Sequence, residues 1–141
     1  MKELYFGSWY CFFSDEPEKH DSEKSGKWMH FFNDQEFAID ICRKAIEEGA
    51  CSSCKCSDLE KQGSSGVICF YLNGDDIESH KKVIDFMLKY NLIRKTQSGR
   101  YFNESFKFDN QTRAKEYGAN FEGKLKLEEF IDLYTGEWIH E

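Results

Sequence analysis

The sequence predicts an α+β domain built on a mostly antiparallel sheet. Three observations lead there. The apolar spacing switches between period two and period 3.6 in the order β-β-α-β-β-α-β-α, the strands come in pairs, and 23 aromatic residues accompany a single proline. Paired strands favour antiparallel neighbours, whereas strict strand–helix alternation favours a parallel sheet. Aromatics at this density with so little proline specify a dense, regular core and exclude disorder as the main description.

In chain order, Tyr5–Phe13 reads as the first strand, and the acidic stretch that follows, with Pro17, reads as an exposed loop over 14–26. Lys27–Phe32 is the second strand. Asn33 stands three residues before Glu36, which predicts a capping box. Phe37, Ala38, Ile41, Cys42, Ala45 and Ile46 then fall at helical spacing, with Gly49 closing the helix. Cys51–Ser57 reads as a short strand and Gly63-Ser64-Ser65-Gly66 as a loop. Val67–Leu72 is apolar on both faces, the pattern of a central strand. Asp75 with Glu78 predicts a second capping box, opening a helix whose stripe is Ile77, Ile84, Met87 and Leu88 and which ends near Asn91. Arg100–Asp109 alternates, with Phe102, Phe106 and Phe108 on one side and Tyr101, Asn103, Ser105 and Lys107 on the other. Asn110–Tyr117 reads as a short helix or turn. Leu127–Tyr134 reads as an amphipathic helix before Trp138. The expected organisation is one domain over 1–141, with a C-terminal helix and tail at 119–141.

The 141 residues carry 19 basic against 26 acidic side chains, a net charge of −7. That balance argues against generic binding to nucleic-acid backbones or anionic membranes, and no sequence-specific nucleic acid is expected as a partner. The charge is uneven: residues 94–115 sum to +4 and 116–141 to −5. A basic segment in an acidic chain is a candidate local anion site, set against the plainer reading of a solvated strand and loop. No apolar run approaches the roughly 18 residues of a membrane span. Met1–Phe6 lacks the apolar stretch of a secretory signal. Six cysteines then read as reduced thiols, and the expected location is cytoplasmic.

Ser8-Trp9-Tyr10-Cys11-Phe12-Phe13, Ser25-Gly26-Lys27-Trp28 and Val67-Ile68-Cys69-Phe70-Tyr71, in this order, resemble the strands of the cap-binding translation initiation factor 4E fold. The resemblance is nearer still to a small family of that fold labelled phosphothreonine lyase, in which Ser-Gly-Lys-Trp recurs, and it covers roughly residues 5–118. It implies a curved antiparallel sheet with helices on the convex side and a ligand cleft on the concave side. The long insert that carries the stacking Trp-Glu pair in cap-binding proteins is missing here, so cap recognition itself is not implied.

Cys51-x-x-Cys54-x-Cys56 is the densest cluster of metal-ligating side chains, but zinc needs four ligands, and Cys11, Cys42 and Cys69 stand apart. Small buried thiols are the expected reading, with no metal or cofactor. The preferred ligand site is the basic set Lys27, Lys55, Lys107 and Arg113, each on or beside a strand, with Tyr101 and Tyr117 as rings to stack on or hydrogen-bond a base or sugar. The expected function is non-catalytic binding of a nucleotide-like or other phosphorylated ligand. An alternative is an acidic inhibitor of a basic protein partner, as in phage anti-defence, using acids such as Asp15, Glu16, Glu128, Glu129 and Asp132. A third is a lyase with Lys27 or Lys107 as base and His30 as proton donor; His30 and His80 also fit as core histidines.

Overall fold

The computed structural model describes residues 1–17, 23–109 and 125–140. Six strands form one curved sheet: β1 (Lys2–Phe6), β2 (Trp9–Phe13), β3 (Ser25–Phe32), β4 (Ser53–Ser57), β5 (Gly66–Asn73) and β6 (Lys107–Phe108). Their order across the sheet is β1-β2-β4-β5-β3-β6, and every neighbouring pair is antiparallel. Helices α1 (Gln35–Glu47) and α3 (Ile77–Lys89) cover one face; α2 (Leu59–Gln62) is a single turn. The α+β class and the antiparallel sheet are as the sequence predicts. No helix among the described residues is long and apolar enough to cross a membrane.

Strand alternation sorts the side chains into two sets. Phe12, Cys54, Cys56, Ile68, Phe70, Leu72 and Trp28 point to the helices and are buried. They meet Ala38, Ile41, Cys42, Ala45 and Ile46 from α1 and Val83, Ile84, Phe86 and Met87 from α3. Each Val, Leu, Ile, Phe or Met side chain among these contributes about 1.5–3 kcal/mol on full burial. Trp9, Cys11, Phe13, Lys55, Tyr71, Lys27 and Met29 occupy the alternate positions, on the face the helices leave open.

A histidine joins the sheet to α3. Trp28 Nε1 on β3 donates to His80 Nδ1 at 3.0 Å, and His80 Nε2 lies 2.8 Å from the Gly74 carbonyl, so the ring carries its proton on Nε2. His80 is fully buried, stacks on Phe130 at 4.4 Å between centroids and meets Phe106 edge-on at 4.9 Å. Both expected core histidines are satisfied ones: His30 Nδ1 lies 2.8 Å from the Leu92 carbonyl.

Several elements differ from the sequence-based expectation. Tyr5–Phe13 is two strands, because Gly7 takes φ 64 and Gly7-Ser8 form a two-residue turn between Phe6 and Trp9, which face each other. The helix caps sit one residue later than expected: Asp34 and Asp76, rather than Asn33 and Asp75, accept from the backbone N–H groups of Phe37 and Ser79. β4 starts at Ser53, and α2 forms between the expected strand and the Gly63–Gly66 loop, capped by Asp58, which accepts from Glu60 N at 3.0 Å. Ser25 and Gly26 belong to β3 and are buried, so they leave the expected acidic loop. Arg100–Asp109 keeps only Lys107–Phe108 as strand. Its backbone bonds are divided, Tyr101 N to Leu133 O, Phe102 N to Arg94 O and Phe106 N to Leu125 O, so no single ladder forms. Phe102 is consequently 40% exposed, while Phe106 is buried. The expected helix over Leu127–Tyr134 is one 3₁₀ turn, Leu127–Glu129. Asp132 Oδ1 then accepts from Tyr134 N and Thr135 N, Gly136 takes φ 80, and Ile131 bridges back to Trp138. The expected turn at Asn110–Tyr117 lies outside the described residues.

Burial pushes the pKa of His80 and of His30 below the ordinary histidine value. The unfolded chain therefore takes up these protons first, so their contribution to stability is complete above about pH 6.5 and is lost as pH falls below it. Protonated His80 would also set an N–H on Nδ1 against the Trp28 donor. The urea midpoint should fall between pH 7.5 and 5.5. His80→Gln should start about 1–3 kcal/mol less stable at pH 7.5 and lose less over that interval. An equal loss in both proteins would place the titration elsewhere.

Candidate functional site

Register turns the open face into defined cross-strand rows. Lys2 faces Phe13, Phe13 faces Ser53, Tyr71 faces Lys27, and Lys27 faces Lys107. The pairing of Lys55 with Cys69 sets Ser53 and Tyr71 into the same row. The adjacent row runs Leu4, Cys11, Lys55, Cys69, Met29. Lys27, Lys55 and Lys107 therefore share one face, as the sequence suggests.

Gly26 makes the approach of β6 possible. A Cβ there would lie 2.5 Å from both the Lys107 carbonyl oxygen and Phe106 Cε2. Only a glycine lets β6 pair with Gly26 and Lys27 while Phe106 fills the space above. The Gly-Lys-Trp sequence thus divides three tasks between successive residues: close backbone approach, an open-face cation and a core anchor.

Aromatic rings surround the ammonium groups. Lys55 Nζ lies 3.8 Å from the Trp9 ring centroid and 5.8 Å from that of Tyr71. Lys27 Nζ is also 5.8 Å from the Tyr71 centroid, on the neighbouring strand. Such cation–π contacts are worth about 0.5–2 kcal/mol and hold each ammonium near a ring face. Lys27 Nζ also pairs with Asp109 Oδ1 at 3.2 Å, and Ser25 Oγ donates to Asp109 Oδ2 at 2.8 Å. Lys27 and Asp109 are 19% and 34% exposed at the side chain, so an arriving anion can compete for this lysine.

The remaining polar groups here stay neutral near pH 7. Burial pushes the Tyr71 hydroxyl above the ordinary tyrosine range, reinforced by Cys69 and Asp109. Burial also raises the Cys69 and Cys11 thiols, against the pull of Lys55. The face thus presents ammonium groups, uncharged acceptors and rings, with Asp109 as the neighbouring carboxylate. A cavity of about 160 Å³ lies where the end of β5 at Tyr71 and Leu72 meets the end of α1 and the start of α3, lined by Ser14, Ser52, Ser79 and Lys82 among others. The Ser14 hydroxyl is buried there without a hydrogen-bond partner among the described residues. A larger cavity, about 360 Å³ between Ile77, Lys81, Trp138 and His140, belongs to α3 and the C-terminal segment rather than to the lysine rows.

The other candidates among the described residues lie elsewhere. Tyr101 packs on Gly136 and under the Lys95 ammonium, 5.0 Å from its ring centroid, with its backbone N–H on Leu133. It therefore belongs to the C-terminal segment. Arg113 and Tyr117 fall outside the described residues. His30 points away from Lys27, to the face opposite the open one, so the acid and base of the lyase reading stand on different faces. Cys54 and Cys56 face α1, where hydrogen bonding to Cys42 and burial push both thiols well above the ordinary range. Among the described residues no group of three or more His, Cys, Asp or Glu is arranged to hold a metal ion. Glu129 and Asp132 accept from local backbone N–H groups, and Asp15 pairs with the N-terminal ammonium. Sequence reasoning missed Trp9, Tyr71 and Asp109. Alternation along β2 and β5 signals the first two; nothing local signals Asp109, which follows the last strand.

Searches against known protein families and against curated proteins return no match. Geometry and chemistry therefore carry the functional argument.

Thiol accessibility checks how the faces are covered. At pH 8 an aromatic disulfide reagent should label at most Cys11 and Cys51 in the native protein, the two half-buried thiols. Cys42, Cys54, Cys56 and Cys69 should react only after unfolding in urea. Rapid native labelling of Cys69 would show that Lys55 and Tyr71 do not cover it.

Proposed function

We propose that this protein is a non-catalytic binder of a nucleotide-like or other phosphorylated ligand, held on the open face of the sheet. The observation that carries the reading is the convergence of Lys27 and Lys55 on the Tyr71 ring, with Trp9 beneath Lys55. Phosphate oxygens seek several donors at once, and each charge-assisted hydrogen bond contributes about 1.5–3 kcal/mol. Flat rings supply stacking surface for a base or sugar beside them. Lys107, opposite Lys27 and exposed, adds a third donor at the edge. Support also comes from the resemblance of the Trp9, Gly26-Lys27-Trp28 and Tyr71 segments to a cap-binding fold. The base and acid of the lyase reading, Lys27 and His30, stand on opposite faces of β3, which favours binding over that chemistry.

The test is a panel of nucleoside mono-, di- and triphosphates with the parent nucleosides, read by tryptophan fluorescence and thermal shift. Phosphorylated members should quench fluorescence saturably, with the response lost in Trp9→Phe. They should raise the melting temperature, since a ligand at 100 times Kd stabilises by about 2.7 kcal/mol. Lys55→Ala and Lys107→Ala should each weaken binding about 10-fold or more. Failure of every phosphorylated compound to bind, or undiminished binding by both variants, would overturn the assignment.

A further inference from the structure

The charges on the open face contradict the charge of the whole. At the open-face strand positions Lys2, Lys27, Lys55 and Lys107 are the only charged residues, although the chain carries −7. Carboxylates are absent from these positions; Asp109 pairs with Lys27, and Asp15 with the N-terminal ammonium beside Lys2. Three of the four lysines share one row that crosses the whole sheet from β1 to β6. Five strand spacings separate Lys2 from Lys107, a row about 24 Å long. No single mononucleotide reaches both ends.

Aromatic surface lies alongside that row. Phe13 and Tyr71 stand within it, while Phe31, four residues along β3 from Lys27, lies about 13 Å away. Phe6 and Phe31 are 79% and 63% exposed, and Trp9 stands beside Phe6. The face thus grades along the strands from a basic end, through Lys55, to an end of exposed rings. A polyanion whose backbone follows the basic row, with flat groups turned to one side, matches this gradient.

We propose that the open face binds single-stranded nucleic acid laid across the strands, its phosphates along Lys2, Lys27 and Lys107 and its bases over the rings towards Trp9 and Phe31. The proposal rests on the reading of this face as an anion site and extends it from one phosphorylated molecule to a strand. Free base faces are the decisive chemistry: a duplex offers phosphates but keeps its bases stacked, whereas a single strand satisfies lysines and rings together. Charges beyond a Debye length, about 8–10 Å, are largely screened, so the acidic remainder of the surface does not forbid a local basic row. A row of this length accommodates about four nucleotides or more.

The experiment uses the whole chain and 5′-fluorescein oligo-dT and oligo-U of 4, 8 and 12 nucleotides, read by anisotropy between 50 and 200 mM NaCl. Affinity should rise from 4 to 8 nucleotides and then level. Its logarithm should fall with log salt at a slope of about −2 to −3, from three or four lysines. Lys2→Ala with Lys107→Ala should weaken binding at least 10-fold and flatten the slope by about 1.4, with an unchanged thermal melt, because both side chains are exposed. Phe31→Ala should weaken it about 10-fold with no change in slope. Mononucleotide binding without strand binding overturns this proposal and leaves the smaller-ligand reading standing; binding of neither overturns both. Duplex bound as tightly as single strand, or a double lysine variant at full affinity, also sinks it.

Discussion

The hydrogen bond from Trp28 to His80 is the constraint on which most of the molecule turns. It joins β3 to α3, while the opposite edge of the imidazole holds the Gly74 carbonyl and its ring face receives Phe130 from the C-terminal segment. Three elements distant in sequence are thereby tied through one neutral ring. Both ring nitrogens are used, which is the condition for burying a polar group without a large desolvation cost. Because Trp28 is committed to the core, its neighbours Lys27 and Met29 are committed to the other face. The lysine row is thus oriented by an interaction that touches none of its members.

The same alternation separates the protein's electrostatic characters. Net charge describes the surface as a whole and says little about any single face of a sheet. Lys55 lies over the Trp9 ring with no carboxylate partner among the described residues. Lys27 differs: it pairs with the Asp109 carboxylate, the residue that follows β6.

Much of this architecture is legible in the sequence because it depends on local periodicity. The α1 and α3 stripes, the closing Gly49 and the central character of β5 follow from side-chain spacing alone. The co-facial arrangement of Lys27, Lys55 and Lys107 follows from strand parity once the strands are neighbours. The misreadings share a different cause. Alternation from Arg100 to Asp109 is real, but its backbone partners come from three separate segments, and periodicity cannot say where hydrogen bonds go. The Leu127–Tyr134 stripe looks helical, yet Asp132 accepts backbone N–H groups that a helix would need. Gly7 permits one apolar run to fold back on itself. Asp109 and Lys2 join the site through tertiary placement, to which spacing is blind.

The strand order β1-β2-β4-β5-β3-β6 has a kinetic side. The first hairpin closes through a two-residue turn, a local event. β3, in contrast, pairs with β5 between residues 34 to 48 positions apart, and its other edge waits for β6. Long loops must close before such pairings are rewarded, which slows folding. During synthesis β3 emerges, with Trp28, Phe31 and Phe32, well before any partner strand exists to receive it. The lysine row is therefore completed late, and a chain arrested before β6 would carry Lys2, Lys27 and Lys55 but lack Lys107 and leave the outer edge of β3 unpaired.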